Sequence, residues 1–372
     1  MEAAVAGRPV DRVPIWLREG FDFHLPLERA DAFTMGWKKA PGYVELFEFA
    51  KPYCDDRAGW SPGGHFNRML GVPPHVMRAE HEQAGPDRRR TTTTIGAPGG
   101  ELVQVTEQMR GEATSWTVKP AVETLDDLDR LRRVPFEVDP VSYDDYERTL
   151  NAVGDRGVVS IFLSSPWVVF STVTTFEQAL MWSATERAMV HEVLREITDR
   201  ACACLDAVLE RPLDTHAVIG GSEQCTPPMM SPDAFAEFVT PYEKPLVDRL
   251  RAAGIPVWCH CHGRVRRALP EIEKIGYSVT EPVEPPDYGG GDLSMAEARA
   301  LVGDRLTLCG NLQFEELERC DEDHIRRRVR EIVDTGKDRL ILAASAGPTS
   351  RPSEQMLRNY RAWIEEAVGC GG

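Results

Sequence analysis

Short runs of apolar and β-branched residues alternate with longer amphipathic stretches through most of the chain. The runs that predict strands are 13–17, 57–60, 158–163, 216–221, 255–262, 277–283, 306–310 and 339–344. Strands that alternate with helices are typical of a parallel sheet covered by helices. Eight strands fit a closed barrel, and no glycine-rich phosphate-binding fingerprint follows a strand, which disfavours a doubly wound open sheet. The pattern therefore predicts an α/β fold, a (β/α)8 barrel.

Three sequence features predict where helices begin. Ser183 stands three residues before Glu186, and Ser294 stands three residues before Glu297, which is the spacing of a capping box. Residues 231–232 are Ser-Pro, a cap residue followed by a proline suited to the first helical position. We expect a helix to start at each of these places.

Residues 88–118 follow a different pattern. A run of four threonines precedes the turn sequence Ala-Pro-Gly-Gly at 97–100 and an alternating stretch at 102–105. This order predicts an antiparallel hairpin inserted in the barrel. Because the chain shows no internal repeat, low-complexity tract or linker, we expect residues 1–372 to form a single domain.

Composition narrows the class of protein. With 372 residues and 42% hydrophobic content, the chain can bury a full core. The formal charge of -16 and pI of about 5.1 argue against a nucleic-acid partner, which would require a basic face. The first eight residues lack an apolar signal region, and no stretch reaches the ~20 apolar residues of a membrane span. We expect a soluble, cytoplasmic protein that acts on a small molecule without a membrane partner.

The nine cysteines of this chain are not expected to form a disulfide framework, because no export signal precedes them. Their thiols remain candidates for core packing, metal binding or catalysis. In a (β/α)8 barrel, chemistry is expected at the carboxyl ends of the strands and in the loops that follow.

One strand end carries a His-Cys-His run. The period of two places His260 and His262 on one face of the strand, and Cys259 and Cys261 on the other. We interpret the two histidines as metal ligands and the two cysteines as packing residues. The alternative is that the histidines are ordinary core residues with satisfied hydrogen bonds.

Glu223 and Cys225 share a face at the end of the preceding predicted strand. If both faces line the barrel mouth, they bring together two imidazoles, a carboxylate and a thiolate. These groups are suitable ligands for Zn²⁺. Whether Cys225 is a ligand or a packing residue stays open. The carboxylate is favoured because it is ionised at neutral pH, whereas a free thiol has a pKa of about 8.5. We therefore predict that Glu223 contributes more to metal affinity than Cys225.

Other strand ends supply candidates for catalysis and substrate binding. Glu284 ends an apolar strand, where burial would raise the pKa of its carboxyl toward a value useful in acid–base chemistry; the alternative is a loop anchor. Asn311 could bind a substrate carbonyl or carboxylate, or serve as a turn residue. Trp167, Glu281 and Ser345 are candidates for substrate binding, and Trp167 could equally pack under the rim.

Four segments share the sequence features of a known family: residues 7–16, residues 231–242 with the pattern SPxxFxxFVxPY, the Gly-Asn pair at 310–311, and residues 354–359. From about residue 7 to 367 the chain resembles the uroporphyrinogen-decarboxylase-like superfamily. The resemblance implies the barrel fold and a homodimer.

True uroporphyrinogen decarboxylases in this superfamily use no metal. They hold substrate carboxylates with an Arg-Gln-Ala-Gly-Arg loop, and a catalytic Asp follows strand two. The matching residues 16–22 here keep only Arg18, which remains a substrate-binding candidate, and an acid replaces the second basic residue. Asp55 and Asp56 lie near the catalytic position without its sequence context. We therefore predict no meaningful decarboxylation of uroporphyrinogen.

Zinc-dependent methyltransferases form another branch of the superfamily and move methyl groups between corrinoid proteins and thiols. Their ligands are His-x-Cys after strand five and a Cys after strand eight. His260 matches the first ligand, His262 stands in place of the Cys, and Ala346 lies near the last Cys. The resemblance implies a methyltransferase with Zn and a corrinoid protein or another methyl donor, in which Glu223 replaces the missing ligand. A metal-free decarboxylase or lyase and a non-catalytic cofactor-binding barrel remain alternatives.

Overall fold

The computed structural model describes residues 1–62, 69–288 and 290–370, and in this part of the chain twelve strands form two sheets. The strands are β1 (Ile15–Trp16), β2 (Asp56–Trp60), β3 (Met77–Gly85), β4 (Arg88–Ala97), β5 (Gly100–Met109), β6 (Ser115–Lys119), β7 (Gly157–Ser164), β8 (His216–Gly220), β9 (Val257–His260), β10 (Val279–Val283), β11 (Thr307–Leu312) and β12 (Leu340–Ala344). Eight of them form a parallel sheet in the order β1-β12-β11-β10-β9-β8-β7-β2. The predicted (β/α)8 barrel is confirmed.

Helices cover the outside of this sheet. They are α1 (Glu2–Val5), α2 (Pro41–Ala50), α3 (Leu125–Arg132), α4 (Asp144–Val153), α5 (Pro166–Ser171), α6 (Phe176–Thr185), α7 (Arg187–Val208), α8 (Ala234–Phe238), α9 (Thr240–Ala252), α10 (Leu269–Ile275), α11 (Met295–Val302), α12 (Phe314–Arg319), α13 (Glu322–Val333) and α14 (Glu354–Gly369). Within residues 1–62, 69–288 and 290–370, no helix combines the length and apolar character that a bilayer crossing requires.

One aspartate joins the two ends of the eight-stranded sheet. The backbone N–H of Asp55 donates to the carbonyl of Ile15 at 2.7 Å, and the N–H of Ile15 donates to Asp55 Oδ2 at 3.0 Å. Arg12 Nη1 donates to the same carboxylate oxygen at 3.0 Å. These contacts hold β1 beside β2, so the sheet closes into a barrel although β1 is only two residues long.

Strand alternation separates the barrel interior from the layer between strands and helices. The interior cluster consists of Ala4, Val5, Trp16, Val218, Trp258, Val279, Cys309, Ile341 and Ala343. Ala4 and Val5 belong to α1, and the carbonyl of Ala4 accepts a hydrogen bond from Thr307 Oγ1 at 2.9 Å at the start of β11. Because β11 begins there, α1 packs against the amino-terminal end of the barrel and leaves the carboxyl end for the site.

The inserted element is larger than the predicted hairpin at 88–118. β4 and β5 form that hairpin, but β3 pairs with β4 and β6 pairs with β5, so the insertion is a four-stranded antiparallel sheet over 77–119. Every residue of β3 except the two ends is exposed. A strand with two exposed faces lacks the apolar alternation from which strands are predicted.

The predicted helix starts have different outcomes. The Ser294 capping box is confirmed, because its side chain accepts from the N–H of Glu297 and the Glu297 carboxylate accepts from the N–H of Ser294. The prediction at Ser183 is wrong. Ser183 lies inside α6, where its hydroxyl donates to the carbonyl of Leu180 at 2.7 Å.

The Ser-Pro pair at 231–232 lies just before a helix and does not begin it. α8 starts at Ala234 with Asp233 as the preceding residue, and the N–H of Ala234 donates to the carbonyl of Ser231 at 3.1 Å. The predicted start is therefore two residues early, because the serine closes a turn instead of capping the helix.

Candidate active site

Two histidines lie side by side at the carboxyl end of β9. His260 is the last residue of the strand and His262 follows it by two positions. Their rings are 4.7 Å apart between centroids and nearly perpendicular, and their side chains are 21% and 32% exposed. Cys259 and Cys261 on the other side of the strand are fully buried in the main core, as predicted. The shared face of the two histidines is therefore present, and it is open at the barrel mouth.

His260 contacts a carboxylate that is completely buried. Its Nδ1 lies 3.4 Å from Glu281 Oε1, which is longer than an ordinary hydrogen bond and leaves an electrostatic contact. Arg57 Nη1 donates to Glu281 Oε1 at 2.6 Å, and Arg18 Nη1 lies 3.5 Å from Oε2. We call His260 and Glu281 the arginine-bound pair, because Arg18 and Arg57 bind its carboxylate.

The two arginines determine the charge of Glu281. Burial by itself would raise the pKa of this carboxyl, but the nearby guanidinium groups of Arg57 and Arg18 outweigh burial and hold the pKa well below its usual range. Arg57 also lies over the ring of Trp16, 4.0 Å from its centroid, and 5.0 Å from that of Trp258. Glu281 is therefore an anion that contacts two arginines, and one of these, Arg57, packs on the rings of two tryptophans.

Arg18 is bound by several other protein groups. Its Nε donates to Glu19 Oε2 at 3.1 Å, and its Nη2 lies 3.5 Å from His260 Nδ1. Burial would lower the pKa of the guanidinium, but Glu19 and Glu281 raise it above its ordinary value. Arg18 Nη2 can only donate, which requires a lone pair on His260 Nδ1, whereas Glu281 can only accept, which requires a proton there. The tautomer of His260 is not set by one partner.

His262 contacts a carboxylate in a different environment. Its Nδ1 lies 3.5 Å from Glu284 Oε1. Glu284 Oε2 accepts from the N–H of Gly263 at 2.5 Å, and Oε1 accepts from Gln313 Nε2 at 3.1 Å. Burial would raise the pKa of Glu284, but His262, Gly263 and Gln313 together lower it. We call His262 and Glu284 the amide-bound pair, because the amide of Gln313 binds its carboxylate.

Gln313 connects three strand ends, although the sequence pattern did not single it out. Its Oε1 accepts from the N–H of Phe314 at 2.6 Å and from the hydroxyl of Ser345. The Ser345 Oγ in turn accepts from the N–H of Phe314 at 2.9 Å. Ser345 is 2% exposed, so it supports Gln313 and Glu284 from below the mouth. The position of Gln313 directly before α12, with Glu316 three residues on, was the available signal.

Glu223 and Cys225 lie in the short 3-10 helix Ser222–Cys225 that follows β8. Glu223 Oε2 is buried without a hydrogen-bond partner in the described residues. Cys225 is fully buried, and burial raises the pKa of its thiol well above the ordinary value. Across residues 1–62, 69–288 and 290–370, no group of three or more His, Cys, Asp or Glu is placed to hold a metal ion. The two histidines are together, but a third ligand is not preassembled with them.

Two other predicted site residues are enclosed. Trp167 is completely buried, and its Nε1–H donates to Gln224 Oε1 at 3.1 Å, which is the packing alternative. Asn311 is 1% exposed, and its Oδ1 accepts from Arg328 Nη2 at 3.3 Å on α13. Its Nδ2 has no hydrogen-bond partner in the described part of the chain. As placed, neither side chain reaches the open side of the two histidines.

Comparisons with known proteins give one family and a fold. The model of the uroporphyrinogen decarboxylase (URO-D) family matches residues 103–367. A methyltransferase from Methanosarcina mazei has 17% sequence identity and a TM-score of 0.61, with 99% of this chain and 96% of that chain covered. A B12-independent methionine synthase from Shewanella sp. W3-18-1, in complex with selenomethionine, has 10% identity and a TM-score of 0.36, with coverage of 61% and 68%. No curated protein matches the sequence. At these identities the first structure supports the fold alone.

Proposed function

Because the chain belongs to the uroporphyrinogen decarboxylase (URO-D) family, we propose that it transfers a methyl or other one-carbon group to or from a small nucleophile at the barrel mouth. One observation carries the proposal: His260 and His262 stand side by side, each with Nδ1 turned to a buried carboxylate. A carboxylate at one ring nitrogen orients the imidazole and makes the other nitrogen more basic.

His262 is the group that we assign to proton transfer. Glu284 can only accept at Nδ1, so the 3.5 Å contact favours the tautomer in which Nδ1 carries the proton and Nε2 has a lone pair. In the described residues Nε2 has no hydrogen-bond partner. A thiol or hydroxyl of the substrate would give its proton to Nε2, and its electron pair would form the bond to the methyl carbon as the donor–carbon bond breaks. In the reverse direction Nε2–H protonates the leaving heteroatom.

The donor chemistry of the site fits zinc in part. Histidine ligands almost always hold a carboxylate or carbonyl at the second ring nitrogen, as both histidines do here. Glu223 Oε2 is an orphaned buried carboxylate oxygen, and the buried Cys225 thiol is held protonated. Because no three ligands stand together among the described residues, Glu223 would have to turn toward the histidines. When bound, zinc would occupy the Nε2 lone pair of His262, so this nitrogen would not act as the base, and the metal itself would lower the pKa of a substrate thiol.

Metal content tests this ligand set. We expect His260→Ala with His262→Ala to lose stoichiometric Zn²⁺, measured by elemental analysis of protein purified without added metal, and to stay folded by circular dichroism. Glu223→Gln should weaken zinc binding more than Cys225→Ser in a titration. Zinc at the wild-type level in the double variant would refute the site, and a larger loss in Cys225→Ser would move it to the thiol.

A polycarboxylate substrate is disfavoured by the charges of the site. The two cations beneath His260 are Arg18 and Arg57, and both are already in contact with Glu19 and Glu281. No coproporphyrinogen should therefore form when the purified protein is given uroporphyrinogen. Formation at a rate comparable with a true decarboxylase would contradict this.

Turnover tests the transfer itself. The protein should demethylate methylcobalamin in the presence of one member of a panel of small thiols and phenols, followed by the absorbance change of the corrinoid. His262→Asn should lower the rate by roughly 10²–10⁴-fold, the usual contribution of a general acid–base group. If His262→Asn keeps the wild-type rate, or if carbon dioxide is released in place of methyl transfer, the proposal is wrong.

A further inference from the structure

A second cleft lies near the barrel mouth, between residues 24–29, the end of β2 and α4. It has a volume of about 710 Å³ and is lined by His24, Arg29, Gly59, Trp60 and Arg148, among others. None of the residues assigned to the arginine-bound or amide-bound pair lines it. The cleft is therefore a separate place at which a ligand could be held.

His24 is fixed in this cleft by a buried aspartate. Asp56 Oδ2 lies 2.8 Å from both the backbone nitrogen and the ring Nδ1 of His24. Asp56 is 2% exposed, and the His24 side chain is 8% exposed. Since a carboxylate accepts at Nδ1, the backbone N–H and Nδ1–H of His24 both donate to it. Nε2 is then the nitrogen left to meet a ligand, and it donates to an anion when the ring carries both protons.

Arg29 supplies a free cation to the same cleft. It is exposed, and its guanidinium has no hydrogen bond or ion pair to any residue that the structure describes. On the opposite wall, Arg148 is paired with Asp145 of the same helix, so that pair brings little net charge. Among the described residues that line the cleft, Arg29 is therefore the cation whose charge no protein carboxylate cancels, in a chain whose net charge is -16.

The cleft opens toward the mouth at one glycine. Gly59 follows Arg57 by two positions, so it faces the same inner side of β2. A Cβ added to Gly59 would meet no described atom within 4 Å, so no described residue closes the cleft at this position. A ligand anchored in the cleft can therefore extend past Gly59 toward the barrel mouth.

We propose that this cleft is a binding site for an oxyanion, a phosphate or a carboxylate, that His24 and Arg29 recognise together. The anion takes a charge-assisted hydrogen bond from His24 Nε2–H and an ion pair from Arg29. It is the anchoring end of a ligand or a free ion, and it plays no part in the proton transfer assigned to His262. The site does not depend on the proposed one-carbon chemistry.

Calorimetric titration with inorganic phosphate and, separately, with acetate tests the site. We expect at least one of them to bind, and Arg29→Gln and His24→Gln each to weaken binding by about tenfold or more, as loss of a charged hydrogen bond implies. Phosphate alone, acetate alone or both would identify the class of anion. The ring ¹H–¹³C signal of His24, assigned by its absence in His24→Gln, should move as the anion is added.

Two controls separate this site from other sources of binding. Arg351→Gln removes another exposed arginine far along the chain and should bind as wild type. His260→Ala with His262→Ala should also bind the anion as wild type, so failure of the one-carbon proposal and failure of this one can be told apart. The proposal is overturned if neither anion binds at millimolar concentration, or if Arg29→Gln and His24→Gln bind as tightly as wild type.

Discussion

The two histidine–carboxylate pairs at the end of β9 have the same contact length but different surroundings. The Nδ1 atoms lie 3.4 and 3.5 Å from Glu281 and Glu284. Glu281 is fully buried and held by Arg57 and Arg18, whereas Glu284 is held by a backbone N–H and the amide of Gln313. Charged partners lock one carboxylate as an anion. Neutral donors orient the other without cancelling its charge.

This difference assigns separate roles to the two pairs. In the arginine-bound pair the cations already neutralise Glu281, and Arg18 also approaches His260 Nδ1, so little negative charge is left to support a basic imidazole. In the amide-bound pair, the described contacts of Glu284 are with the neutral donors of Gly263 and Gln313 and with His262. We therefore expect the first pair to hold the barrel interior together and the second to take part in proton transfer.

The largest expected effect is the loss of stability in Glu281→Gln. The substitution keeps the shape of the side chain but leaves Arg57 and Arg18 buried without their shared anion. Removing one partner of a buried ion pair destabilises by about 3–5 kcal/mol. Urea denaturation should show this loss, while Glu284→Gln should lose roughly 1 kcal/mol because only neutral donors are affected. If both variants lose the same amount of stability, the charged partners of Glu281 do not stabilise the fold more than the neutral partners of Glu284.

The next effect concerns Gln313, which we regard as a positioning residue. Gln313→Leu removes the amide that holds Glu284 Oε1, so His262 loses its fixed orientation. Changes at such outer partners lower activity or metal affinity by roughly 10–100-fold. The ¹⁵N shifts of the His262 ring should then report a mixture of tautomers, which a merely structural role would not produce. Unchanged His262 shifts with an unchanged rate would show that Gln313 only packs.

The barrel could be predicted from sequence because its signals are local. Each strand is an apolar run of a few residues, and the period of two alone places His260 and His262 on one side, away from Cys259 and Cys261. Side chains that are close in sequence and share a strand can be assigned before the fold is known.

Partners that are distant in sequence could not be predicted in this way. Arg57 meets Glu281 across 224 residues, and Gln313 meets Glu284 across 29. Strand β3 was missed for a related reason, since its two exposed faces remove the apolar alternation that marks a strand. The burial of Trp167 under the rim likewise depends on helices that pack from elsewhere in the chain.

A smaller effect should appear in acid. The pKa of Glu281 is lower in the folded protein than the ordinary value of 4.5. Its contribution to stability is therefore complete above that value and is lost as pH falls from 4.5 toward the lower folded pKa. The difference in unfolding free energy between the wild type and Glu281→Gln should narrow over this interval in urea titrations. If the difference stays constant below 4.5, the charge of Glu281 is not what stabilises the barrel.

The smallest effect tests a third buried carboxylate, Glu243, whose described hydrogen-bond partners are hydroxyl groups and not cations. Glu243 is fully buried and accepts from Ser222 Oγ at 2.7 Å and Tyr277 Oη at 2.5 Å. Burial outweighs these hydroxyl donors and raises its pKa. A raised pKa favours folding below the unfolded value of 4.5, and this contribution is lost as pH rises through the folded pKa. The amide in Glu243→Gln cannot ionise. At alkaline pH the free energy of unfolding of this variant should therefore exceed that of the wild type by about 0.5–1 kcal/mol. In acid it should be slightly lower than that of the wild type, because the amide has one oxygen acceptor fewer. Thermal unfolding at a series of pH values would show the stabilities of the two proteins crossing. If the variant is less stable at every pH, the hydroxyl donors stabilise a charged Glu243 as fully as the arginines stabilise Glu281.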